Sequence, residues 1–332
     1  LAMNYKALNN LATMFFDVAE DFSQKPFLWA KENGEYVSRS YSEVASQVLY
    51  LADSLHLSGV KKGDRVVVVA ENRPEWVVAD LAIISIGGIT VPAYTTNTAE
   101  DHLYILEHSE ANIAIVSGDK LAPRLTDAMN KSATCKTIIS IEDLSTQIEP
   151  RLKHLNWSNL VSPKDKLKIN ASKEAANLKR DDIACFIYTS GTGGNPKGVM
   201  LTHGSILANC SSAYDLLTEF GLGDEIFLSL LPLSHSYEHT CGLYFPISIG
   251  AQIYYSEGPD KVAQNLQEAS PTIMTAVPRL YEALHDRIQR GVHQTGGLKK
   301  RLFDLALELG RKEKVEKQSL NFSEKLKNIL VD

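Results

Sequence analysis

Two patterns of apolar residues alternate along this chain. Short runs rich in β-branched side chains, such as DRVVVVAE at 64–71, lack the polar alternation of a half-exposed strand and read as strands buried on both faces. Similar runs follow at ITVPAY (89–94), NIAIVSG (112–118), TIISI (137–141), IACFIYT (183–189), EIFLSLLP (225–232), AQIYYS (251–256) and TIMTAV (272–277). Stretches with apolar residues three and four apart lie between them and read as helices: AEDHLYILEH (99–108), GSILANCSSAYDLLTEF (204–220), PDKVAQNLQEA (259–269) and PRLYEALHDRIQR (278–290). The segment NRPE at 72–75 is a helix-start signal for WVVADLAIIS, and Gly87-Gly88 is its stop.

Strands alternating with helices at this spacing predict βαβ units, hence an α/β fold of mainly parallel sheets with flanking helices. In such sheets ligands gather at the carboxyl ends of the strands. The polar, lysine-rich stretch at 142–180 is expected to wrap the surface. The longest apolar run, LAIISIGGITVPAY at 81–94, is 14 residues long and broken by Gly-Gly and Pro, too short for a membrane span.

Composition changes this picture little. A chain of 332 residues with 44% hydrophobic side chains can build a sizeable core. The formal net charge of −6 argues against general nucleic-acid binding. The four cysteines, Cys135, Cys185, Cys210 and Cys241, form no C-x-x-C pair. Neither a zinc knuckle nor a dithiol centre is expected, Cys185 and Cys241 read as small core residues, and a reducing cytoplasmic setting fits.

The chemistry concentrates at 188–198, YTSGTGGNPKG, directly after a predicted strand. Four glycines, three Ser/Thr hydroxyls and one lysine share eleven residues. Glycines let backbone N–H groups approach a ligand, successive N–H groups form an anion-binding concavity, and Lys197 adds a compact charge suited to phosphate. A Walker A loop fails here, because Pro196 stands where its second glycine belongs and Gly198 where its hydroxyl belongs. A dinucleotide fingerprint fails at Pro196 as well. The residues alone leave a phosphate cradle of another kind or a flexible turn.

LSHSYEHTCG offers a second candidate. His235, Glu238 and His239 fit H-x-x-E-H, a zinc hydrolase pattern in which the two histidines share a helix face. Only three residues define it, and it arises easily by chance.

The loop also carries a family resemblance. YTSGTGGNPKGVMLTH resembles the phosphate-loop signature YTSGTTGxPKGV of the adenylate-forming acyl-CoA synthetases, matching ten of eleven specified positions. GDRVVVVAENRPEWVVADLAIISIGGITVPAY, LPLSHSYEHTCG (231–242) and TIMTAVPRLYEAL (272–284) resemble further segments in the family's order, the last two in the form of the long-chain fatty-acid–CoA ligases. The resemblance implies the large N-terminal domain of such an enzyme, and a two-step reaction. A fatty-acid carboxylate attacks the α-phosphorus of ATP, with Mg2+, and coenzyme A then displaces AMP. Thr189, Ser190, Gly191, Thr192, Gly193, Gly194 and Lys197 would bind the ATP phosphates, Lys197 and His235 would be catalytic, and His235, Tyr237 and Glu238 would form the acyl pocket. His203, which closes the motif, is expected to start the following helix, and Tyr188 to pack beside the loop.

Two departures stand out. Gly193 replaces the second threonine of the signature, and His239 stands where the long-chain group usually has arginine. These 332 residues contain no Y-G-x-T-E, the segment whose glutamate would hold magnesium, no ribose-binding T-G-D and no C-terminal adenylation lysine. The expectation is therefore a partial adenylation domain over 1–332, with subdomains at 1–180 and 181–332, without the C-terminal lid and inactive by itself. A phosphate-binding module without catalysis is the alternative. Finally, residues 287–327 hold eleven Lys and Arg against five Asp and Glu, with Leu298, Leu302, Leu305 and Leu309 at helical spacing. Such a helix either packs on its own domain or lies on an anionic membrane surface, on the inner face.

Overall fold

The structure, a computed structural model, describes residues 3–190, 194–295 and 297–312. The chain divides into two units, Leu1–Thr275 and Ala276–Asp332. In chain order the strands of the first unit are β1 Pro26–Glu32, β2 Glu35–Ser40, β3 Arg65–Val69, β4 Ile89–Pro92, β5 Ile113–Val116 and β6 Thr137–Ser140. They continue as β7 Lys153–Asn156, β8 Ile183–Thr189, β9 Lys197–Thr202, β10 Ile226–Ser229, β11 Gln252–Tyr255 and β12 Ile273–Met274.

These strands make two sheets. One has the order β7-β6-β5-β3-β4-β8-β9 and is parallel except for β9, which runs antiparallel to β8. The other has the order β12-β10-β11-β1-β2 and is parallel except for the β1–β2 hairpin. That hairpin turns at Asn33 (φ 51°) and Gly34 (φ 87°), the residue pair that a tight left-handed turn between strands favours. The mainly parallel α/β architecture agrees with the sequence pattern, but a boundary at 180/181 does not. β8 and β9 complete a sheet begun by β3 and β4, while β1 and β2 complete a sheet whose other strands follow residue 225. A cut there would run through both sheets.

The valine run of β3 shows why its pattern carries no polar alternation. Val66 and Val68 face the main core while Val67 and Val69 face a second cluster on the opposite side, so both faces are buried. Helix Pro74–Ser85 is more extreme, because every one of its residues is buried. It starts with Pro74 in its first turn, packs against helices Leu11–Asp21 and Tyr41–Leu57, and ends before Gly87, whose φ of 78° suits glycine.

The second unit contains helices Pro278–Thr295 and Gly297–Gly310. Tyr281, Ile288, Leu298 and Leu307 are exposed on them. Among the described residues no helix is long and apolar enough to cross a membrane.

Candidate active site

Strand β8 delivers the glycine-rich segment. Thr189 ends the strand and Ser190 follows, both exposed; Gly191, Thr192 and Gly193 lie outside the described residues. The chain continues through Gly194, Asn195 and Pro196 into β9, where Lys197 pairs with Thr189. The segment thus joins two antiparallel strands, so its ends are held in register by a ladder. Lys197 is exposed at the start of β9 and has no carboxylate partner among the described residues.

Two glycines there answer to different causes. A Cβ on Gly198 would lie 3.1 Å from Tyr188 Cζ, so the ring would have to give by a few tenths of an ångström to admit a side chain. Among the described residues a Cβ on Gly194 would meet nothing within 4 Å, so they set no such demand. Tyr188 donates or accepts a 2.8 Å hydrogen bond with His108 Nδ1, Tyr104 stacks on His108, and the Tyr104 hydroxyl donates to Pro196 O at 2.9 Å. This aromatic cluster braces the loop on both sides. Burial pushes the Tyr188 phenol up to about 12, so it stays neutral.

A cavity of about 460 Å³ opens beside these loop ends, lined by Thr189, Ser190, Pro196, Tyr94, Asp101 and His235, among others. His235 is exposed, and its Nδ1 accepts from the backbone N–H of Tyr237 at 3.2 Å. That bond leaves the proton of the neutral ring on Nε2. A second cavity of about 450 Å³ lies between helix His203–Thr218 and the segment after His235, with Leu201, Ile206, Asn209, Tyr237 and Cys241 on its walls. Ser236 lines both cavities. Cys241 is therefore only partly buried, unlike Cys185.

Glu238, expected in an acyl pocket, lines neither of these two cavities. It begins a π-helix, Glu238–Tyr244, and is fully buried. Its carboxyl accepts from Ser229 Oγ at 2.7 Å and from the Thr275 hydroxyl. Burial outweighs those bonds and raises it to about 7. His239 turns elsewhere, with Nε2 2.9 Å from Asp80 Oδ2 and its ring edge-on to Trp76. The residues of H-x-x-E-H therefore do not converge, and among the described residues no group of three His, Cys, Asp or Glu could hold a metal ion. His203 is the first residue of its helix and is buried, its Nδ1 accepting from Leu11 N–H at 3.2 Å.

Sequence reasoning passed over Asn72 and Asp80. Asn72 donates to Ser229 Oγ (3.1 Å) and Leu231 O (2.7 Å) and accepts from Leu233 N–H (3.0 Å), pinning the LPLSH segment beyond the end of β3. The Asp80 signal was a lone charge inside an apolar run, with a partner 159 residues away.

Comparison with known proteins supplies a family. The profile described as AMP-binding enzyme matches residues 15–330. Probable CoA ligase CCL6 of Humulus lupulus is 34% identical over 83% of this chain and 42% of its own length. Long-chain-fatty-acid–CoA ligase ACSBG2 of Mus musculus is 30% identical over 90% of this chain and 46% of its own. Among solved structures, a benzoate CoA ligase from Burkholderia xenovorans LB400 superposes with a TM-score of 0.66 at 27% identity, over 82% of this chain and 51% of that one. The chain spans under half the length of these two curated relatives.

Proposed function

We infer the function from one premise: the chain belongs to the AMP-binding enzyme family. We propose that the protein carrying it activates a long-chain fatty acid with ATP and passes the acyl group to coenzyme A. The observation that supports this most is the meeting of both loop ends and His235 on one cavity, joined through Ser236 to a second. In this reading the first cavity takes the nucleotide and the second receives the acyl chain.

In the first step a carboxylate oxygen bonds to the α-phosphorus and the bond to pyrophosphate breaks. Negative charge grows on the leaving pyrophosphate, so preorganised donors there lower the barrier. Thr189, Ser190 and the loop backbone supply hydrogen bonds, and Lys197 supplies charge. His235, with its proton on Nε2, is placed to donate where carboxylate meets phosphate. In the second step the coenzyme A sulfur attacks the acyl carbonyl and AMP leaves. Magnesium, which the resemblance places on a later glutamate, would offset phosphate charge. The 332 residues alone are expected to bind nucleotide without turnover, because they lack the later motifs.

The direct test is pyrophosphate release by the full-length protein with palmitate. Lys197→Ala removes a charge-assisted contact of about 1.5–3 kcal/mol, so rate or ATP affinity falls roughly ten- to a hundredfold. Unchanged kinetics would remove Lys197 from the site.

For location, we propose a cytoplasmic protein that rests on an anionic inner membrane surface. Exposed Ile288 and Leu298 with Lys300 and Arg301 support this, although residues 313–327 of the basic segment lie outside the described residues.

A further inference from the structure

Helix Pro74–Ser85 is buried along its whole length, yet carries a carboxylate, Asp80, at its middle. A buried charge persists only when it is paired and hydrogen-bonded. Asp80 Oδ2 accepts from His239 Nε2 at 2.9 Å and from the Tyr244 hydroxyl at 2.5 Å, and Thr90 also favours the anion. His239 and Tyr244 stand near opposite ends of the π-helix, so one carboxylate oxygen ties down the whole segment. π-helical turns cluster at functional sites, where they set a local geometry that a regular helix would not.

The segment leads to the cavity from two directions. His239 N–H donates to His235 O at 2.9 Å, which places the residue whose ring lines the nucleotide cavity. His239 Nδ1 lies 3.9 Å from Cys185 Sγ, on the strand that runs four residues later into Thr189. We propose that Asp80 is a positioning residue for the adenylation site, fixing the His239 ring so that the π-helix presents His235 on the cavity that Thr189 and Ser190 also line. The role rests on the adenylation reading of that cavity.

The charges agree with this geometry. Burial opposes a cation on His239, but the Asp80 carboxylate prevails and holds the ring up at about 10. Burial likewise disfavours the Asp80 anion, and His239 overrides it. The other titratable groups facing the pair are Tyr244 and Cys185, with His203 acting on Asp80 from the start of its helix. A cation at 239 is also what an arginine would supply, so the departure from the long-chain pattern keeps the charge and changes its carrier.

Two readouts test the proposal. In the chain with ¹⁵N-labelled histidine, the His239 nitrogens at pH 8 are expected to report imidazolium, and Asp80→Asn to convert it to a neutral ring. In the full-length protein, Asp80→Asn and His239→Gln are expected to lower kcat roughly ten- to a hundredfold while the KM for ATP stays within about threefold. His239→Arg is expected to retain most of the rate. A neutral His239 at pH 8 in the wild-type protein, or a wild-type kcat in Asp80→Asn, would overturn the role. If Asp80→Asn does not fold, equal rates for His239→Gln and His239→Arg overturn it instead. Wild-type protein that forms no acyl-adenylate would refute the function and leave the resonance result to decide the ion pair.

Discussion

Gly242→Ala is the change whose consequence the structure fixes most sharply. Gly242 lies one turn after Glu238, and a methyl added there would fall on the Glu238 Cδ and Oε1 and 2.8 Å from its Oε2. A flexible, exposed glutamate would swing aside at little cost. Glu238 is fully buried and bonded to Ser229 and Thr275, so moving it breaks those bonds. Leaving a buried polar group without its partner costs about 1–3 kcal/mol, and partial loss of two such bonds gives about 2–4 kcal/mol. Alanine returns about 1 kcal/mol through helix propensity. The net loss of about 1–3 kcal/mol corresponds to a fall in Tm of roughly 3–10 °C, read by calorimetry or thermal fluorescence. Glu238→Ala removes the obstructing carboxyl, so adding Gly242→Ala to it should cost nothing further. A Tm unchanged by Gly242→Ala, or an equal drop in both backgrounds, would refute the steric account.

Glu238 also predicts a pH dependence. Its folded value near 7 lies above the usual 4.5, so its contribution is fully present below about 4.5 and is lost as pH rises through 7. About 2.5 units at 1.36 kcal/mol each give a fall of about 3 kcal/mol, and urea titrations between pH 5 and 8 should show a shallower slope for Glu238→Gln. Identical slopes would mean that Glu238 does not titrate in this range. For the membrane proposal, the protein should co-sediment with phosphatidylglycerol vesicles at low salt and be released as salt screens the attraction. Protein that stays in the supernatant at low salt rejects it.

Much of the first unit was legible because parallel strands buried on both faces write themselves as unbroken β-branched runs. The β3 valines, β5 and β6 are of this kind, and Pro74 and Gly87 mark the ends of the buried helix between β3 and β4. What escaped notice has physical reasons. β9 is an exposed edge strand whose residues alternate poorly, so it reads as the tail of the glycine loop; its antiparallel pairing is a tertiary fact. The β1–β2 hairpin was signalled by Asn33-Gly34, but its flanks are too polar to stand out as strands. The π-helix has no period that a sequence scan detects. His235 could be read from its motif, whereas Asp80 could not be given a role without knowing that His239 and Tyr244 fold onto it.

The central claim is that a carboxylate oxygen of a fatty acid bonds directly to the α-phosphorus of ATP in this protein. Palmitate labelled with ¹⁸O in its carboxyl, turned over by the full-length protein with ATP and coenzyme A, tests it in one mass spectrum. Attack by the carboxylate followed by thiol displacement leaves one labelled oxygen in AMP. The account predicts AMP carrying a single ¹⁸O per turnover, formed with palmitate and not with acetate or benzoate. Unlabelled AMP, or label appearing in inorganic phosphate with ADP as the other product, would contradict it.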